Sequence, residues 1–92
     1  MRLIFRVHGL DMPELNQAEE AIRRLARECG FEADVSKVNE ILEHGRMGIG
    51  DALPVLEING TIVSVKTPLT MDKLRPIFEK LSSLFSRTKP SA

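Results

Sequence analysis

Pro54-Val55-Leu56-Glu57-Ile58-Asn59-Gly60-Thr61-Ile62-Val63-Ser64-Val65 is the stretch whose reading decides the fold of this chain. Two runs rich in β-branched and apolar residues flank Asn59-Gly60. Asn-Gly between such runs favours a two-residue type I′ turn, whose twist matches that of the strands it joins. The stretch therefore predicts a β-hairpin, with antiparallel strands over 54–58 and 61–65.

C-terminal to the hairpin, Thr70 is placed to cap a last helix. Its apolar stripe runs Met71, Leu74, Phe78, Leu81 and Phe85, with Ile77 and Leu84 beside it. Pro76 falls inside the stripe, where a missing backbone donor and a clash with the preceding turn predict a kink or an irregular first turn. N-terminal to the hairpin, Gly45, Gly48 and Gly50 mark a mobile or tightly turning connection over Gly45 to Asp51. Before it, Ser36 is placed to cap a short helix through Val38, Ile41 and Leu42 that ends near His44-Gly45, where His44 would favour the helix C-terminus.

Phe31 to Val35 reads as a short strand. The segment before it steps through Leu15, Ala18, Ile22, Leu25 and Cys29 at spacings of three and four, the stripe of an amphipathic helix ended by Gly30. Glu19 with Arg23, Glu20 with Arg24 and Arg24 with Glu28 stand four apart on its solvated side. Leu3-Ile4-Phe5-Arg6-Val7, closed by Gly9, forms the first strand. The order is thus β-α-β-α-β-β-α. A right-handed crossover makes the first two strands parallel and the hairpin adds an antiparallel pair, giving an α/β domain with a four-stranded mixed sheet and helices on both faces. The closing hairpin and helix separate this order from the ferredoxin-like β-α-β-β-α-β.

The chain has 92 residues, enough for one domain, expected over residues 1–85 with a flexible tail over 86–92. Lys plus Arg and Asp plus Glu balance at 13 each, so no net field draws in nucleic acid or an anionic membrane. No apolar run is long enough for a membrane span and no signal-peptide pattern precedes the first strand, so a cytoplasmic protein is expected. Cys29 is the single cysteine, which excludes an internal disulfide and a Cys-rich metal site.

Met12-Pro13-Glu14-Leu15 opens the first helix. Asp11 can cap it, Glu14 three residues later completes a capping box, and Leu10 with Leu15 can form a hydrophobic staple. Pro13 is tolerated in the first turn. His8, at the end of the first strand, can be imagined with Met12 as a metal site, but two ligands without a third do not make one. No metal and no cofactor are expected.

The order of elements, Gly9 before the first helix, Ala52-Leu53-Pro54-Val55-Leu56-Glu57-Ile58-Asn59-Gly60 and the final amphipathic helix together resemble the small bacterial and archaeal thioredoxin-like proteins of the redox-active disulfide group. The resemblance covers residues 1–85. It implies a thioredoxin-like fold, a Cys-x-x-Cys motif opening the first helix, and a cis-proline facing it before the third strand. Pro54 matches the cis-proline. Met12 and Leu15 fall on the two cysteine positions when Gly9 and Gly30 serve as anchors, so the active site is degenerate. Gly45 to Asp51 is longer than the family's usual connection.

Dithiol exchange needs an attacking thiolate and a resolving thiol, and neither Met12 nor Leu15 supplies one. Cys29 lies on the same helix, about 25 Å from Met12 at ~1.5 Å per residue, on the buried stripe. The expectation is a redox-inactive module without catalytic residues that binds an unidentified protein or extended peptide. Leu53 and Pro54 would offer the backbone edge, Leu10 and Met12 an apolar floor, and His8 and Glu14 the rim. The alternatives are a thiol-disulfide oxidoreductase using Cys29, a glutathione-binding relative, or a structural module that self-associates as a homodimer through the Thr61 to Val65 edge.

Overall fold

The computed structural model describes residues 2–88, with side chains described through residue 84. Seven elements follow in the expected order: β1 (Arg2–His8), α1 (Met12–Cys29), β2 (Glu32–Val38), α2 (Ile41–Met47), β3 (Val55–Ile58), β4 (Thr61–Val65) and α3 (Met71–Thr88). The strands form one mixed sheet in the order β2-β1-β3-β4. β1 pairs parallel to β2 and antiparallel to β3, and β3 pairs antiparallel to β4.

Alternation along β1 decides what each face of the sheet meets, because successive side chains point to opposite sides. Leu3, Phe5 and Val7 point into the apolar core with Leu56 and Ile58 of β3. α1 closes this face through Leu15, Ala18, Ile22 and Leu25, and α3 through Leu74 and Phe78. Phe5 and Phe78 stack with ring centroids 5.5 Å apart, which fixes α3 against the central strand. The intervening residues of β1 point to the other face: Ile4 is exposed, Arg6 half-buried and His8 buried. There α2 meets the sheet through His44, whose ring packs edge-on to His8.

The hairpin forms about Asn59-Gly60, with both residues at positive φ, 51° and 84°, as a type I′ turn requires. Asn59 is also tied to β1. Its backbone N–H donates to the Ile4 carbonyl at 2.8 Å, and its Oδ1 accepts from the Ile4 N–H at 2.9 Å. A register shift opposite Leu56 and Glu57 leaves Val63 as the extra residue of a bulge in β4.

Several local expectations are corrected. β2 continues to Val38, so Ser36 is a strand residue paired with Arg6 and caps nothing. The parallel ladder with seven residues of β1 overrides the local cap signal. α2 accordingly begins at Ile41 after Glu40, carries Gly45 within it and ends at Gly48, which takes the left-handed conformation at φ 72°. His44 stands in the last turn of α2, as expected, and is buried there.

At the start of α1, Asp11 occupies the cap position but its side chain makes no capping hydrogen bond, and Leu10 stays 62% exposed, so neither the capping box nor the staple forms. Gly30 ends α1 at φ 78°, as expected. Of the three ion pairs expected on α1, Glu19 with Arg23 forms at 2.9 Å. Glu28 instead meets Arg75 of α3 at 3.3 Å, and Glu19 also meets Lys37 of β2 at 3.0 Å. α3 runs through Pro76 and reaches Thr88, so the first residues of the expected tail are helical. The remainder of that tail, and the Phe85 side chain, lie outside the described residues.

Candidate functional site

An open groove of about 420 Å³ lies where the first turns of α1, the segment before β3 and the connection from β4 to α3 come together. Glu14, Ala18, Pro54, Lys66, Leu69 and Met71 line it. Each arrives for a local reason. Ala18 belongs to the buried stripe of α1 and Met71 to that of α3, so the two helices supply an apolar wall. Glu14 and Lys66 supply charges of opposite sign.

The backbone beside the groove is fastened from one side only. The Lys66 N–H donates to the carbonyls of both Ala52, at 2.8 Å, and Pro54, at 3.0 Å. Lys66 takes a positive φ of 54°, a conformation uncommon outside glycine and one that over-determined sites retain. These bonds bracket Leu53, whose own N–H and C=O make no hydrogen bond among the described residues. The Leu53-Pro54 peptide bond is cis.

The sequence-derived site residues do not all gather here. Glu14 and Pro54 line the groove, and Leu53 adjoins it half-buried. Leu10 and Met12 are exposed, at 62% and 36%, on the approach to α1 but outside the lining. Leu15 is a core residue, 2% exposed, and packs so closely on Gly9 that a Cβ there would stand 3.1 Å from its Cδ2. His8 is fully buried and points to the opposite face of the sheet, so it takes no part in the rim. Cys29 is half-buried at the far end of α1.

Sequence reasoning missed Lys66 and the residues through Leu69. Their one signal was Lys66-Thr67-Pro68, turn chemistry directly after a strand. It also missed a polar cluster on the other face, signalled by Glu57 within a strand that is otherwise Val, Leu and Ile. His8 Nε2 donates to Glu57 Oε1 at 2.8 Å in the buried interior, and Arg6 stands 3.9 Å from the same oxygen. His44 Nε2 donates to the Val38 carbonyl at 3.0 Å. Burial pushes the His8 imidazole below the ordinary histidine range; Glu57 opposes the shift, while the charges of Arg6 and His44 add to it. Among the described residues no three His, Cys, Asp or Glu side chains group as a metal site requires. No helix among them is long and apolar enough to cross a membrane.

The chain matches no family model, and no curated protein matches it.

Proposed function

We propose that this chain is a redox-inactive, thioredoxin-like binding module of the cytoplasm that captures an extended segment of a protein or peptide. The observation that carries the reading is the Leu53 backbone, which offers a donor and an acceptor unpaired among the described residues at the edge of the Pro54 groove. An extended peptide gains main-chain hydrogen bonds by pairing with such an edge, and a side chain of the peptide can enter the adjoining groove. Ala18, Pro54, Leu69 and Met71 give that groove an apolar lining, with Glu14 and Lys66 available to set orientation. Leu10 and Met12 extend the exposed apolar surface on the α1 side.

Thiol chemistry fits less well. Cys29 lies two turns of α1 beyond Ala21, the last α1 residue of the groove lining, about 12 Å at ~1.5 Å per residue, and is half-buried. Insulin reduction by the purified protein is expected not to exceed background.

The direct test is an NMR titration with short, end-capped extended peptides. Amide shifts should move at Leu53 and from Lys66 to Met71, and Met71→Lys, which places a long charged side chain in the groove, should abolish the response. Binding that leaves these amides unmoved sinks the reading.

A second reading, a structural module acting by self-association, is favoured by β4. It is an edge of the sheet, carries no charged residue, and leaves Ile62, Val63 and Val65 each more than 40% exposed. Val63 also borders an apolar groove of about 630 Å³ against Ile77, Leu81 and Leu84 of α3, so the edge and the groove are continuous. A sedimentation coefficient independent of concentration would remove this reading.

A further inference from the structure

Between Asn39 and Ala52 only two residues are buried, His44 and Ile49. Ile41 and Leu42 of α2 are 72% and 81% exposed, so the helix is not held by an apolar stripe. It meets the sheet through the His44 ring, packed 5.5 Å from the His8 ring and bonded through Nε2 to Val38, and through Glu43, 3.8 Å from Arg6; Ile49 beyond it is also buried. The Ile49 N–H donates to the His44 carbonyl, and the Ala52 N–H to the Ile49 carbonyl, so the segment is internally stitched up to Leu53.

Both histidines share one arrangement. Each Nε2 faces an acceptor, Glu57 for His8 and the Val38 carbonyl for His44, so each Nε2 carries a hydrogen. Each Nδ1 is then a lone pair, and both Nδ1 atoms are buried without a hydrogen-bond partner among the described residues. An added proton has nowhere else to go. It would create a buried N–H with no acceptor on a ring that has become charged, and both changes are costly away from water.

We propose that His8 and His44 form a proton-sensitive latch, and that acid releases α2 and the following residues to Ala52 from the sheet as a unit while the α1 and α3 face stays closed. The charged groups around it come from every element involved. Arg6 of β1 stands 3.8 Å from Glu43 of α2, and Glu57 of β3 lies between His8 and Arg6. Glu57 reaches His8 only through Nε2, and no carboxylate bonds to His44 among the described residues. An opened segment exposes the His8 imidazole to water, where histidine takes its ordinary affinity near ~6.5. Since the closed state holds His8 below that range, the latch is fully held above about pH 6.5 and weakens as pH falls beneath it. The latch does not depend on the peptide-binding reading, although the segment it holds ends beside Leu53.

Hydrogen exchange of the full chain, corrected for the intrinsic rate at each pH, tests this at about pH 7.5 and about pH 5. The expected result is a loss of protection of roughly tenfold or more at His44, Gly48, Ile49 and Ala52, with the amides of β1 and of α1 around Ile22 unchanged. Equal loss everywhere, or no loss, overturns the proposal. His44→Gln keeps a side-chain donor for the Val38 carbonyl without a titrating ring, and should flatten the pH dependence; a dependence that survives it overturns the role of His44. Should that variant fail to fold, imidazole NMR of the unaltered chain still decides: His8 titrating in step with the loss of α2 protection supports the latch, and titration without that loss rejects it.

Discussion

Towards α1 and α3 the sheet presents Leu3, Phe5, Val7, Leu56 and Ile58, all buried among aliphatic and aromatic partners, whereas towards α2 it presents Arg6, His8 and Glu57 with a single fully buried aliphatic, Val55, beneath a helix of seven residues. The same two strands, β1 and β3, build both faces, since side chains alternate along each of them. The first face is held by non-directional burial, worth about 1.5–3 kcal/mol for each large side chain. The second buries little apolar surface beyond Val55 and Ile49 and adds a few hydrogen bonds whose net worth is about 0.5–1.5 kcal/mol each, but whose loss strands a buried polar group. One domain thus contains a robust side and a conditional side.

The sharpest way to break the comparison is Phe78→Ala. Removing the ring stacked on Phe5 should cost about 3–5 kcal/mol in urea unfolding and destabilise the whole domain. A smaller loss, about 1–3 kcal/mol, is expected for Glu57→Ala, which leaves the His8 Nε2–H buried without its acceptor. If Glu57→Ala proves as damaging as Phe78→Ala, the two faces are not held differently.

The third prediction concerns pH. The folded His8 sits below its unfolded range, so the unfolded chain binds more protons as pH falls, and stability present above about pH 6.5 should decline below it. Glu57→Gln should lower the His8 titration further, because it removes the carboxylate charge that opposes the shift, and imidazole NMR would show the direction.

The smallest effect on stability, within about 0.5 kcal/mol, is expected for Ile62→Lys on the exposed edge. It should nevertheless reduce any concentration-dependent sedimentation. The edges themselves differ: β2 carries Glu32, Asp34 and Lys37, with Asp34 held by Arg2 at 2.8 Å, while Thr61 to Val65 carries no charge.

The elements legible from sequence were those whose signal is local and whose partner is apolar. Asn59-Gly60 marks the hairpin because only its backbone conformation matters to the turn, and the α1 stripe emerges because burial enforces a period. Ser36 misleads for the opposite reason: its capping chemistry is local, while its place in β2 is set by Arg6, thirty residues away in the chain. Asp11 and Glu14 carry the pattern of a capping box, yet Asp11 makes no capping bond.

At the groove, Glu14, Leu53 and Pro54 could be named in advance from the resemblance. Lys66 could not, because its importance lies in two backbone bonds to residues across a turn and a strand, which no side-chain pattern encodes. His44 was hidden for a related reason. A histidine near a glycine reads as a helix C-terminus, which it is, and its burial follows only from the position of His8 behind it.

Asn59 carries a consequence for redesigning this sequence. A turn library asked for the residue before Gly60 would accept Asn, Asp or Gly, since each tolerates a positive φ. The main-chain donor and acceptor of Ile4 add a second demand, met by the Asn59 Oδ1 and N–H respectively. Glycine satisfies the first demand and fails the second, while longer acceptors satisfy the second at a cost in the first. Scoring the two requirements separately admits many residues; scoring them jointly leaves the short side chains that present an oxygen at Oδ1, and makes position 59 one of the least exchangeable on the surface of this fold.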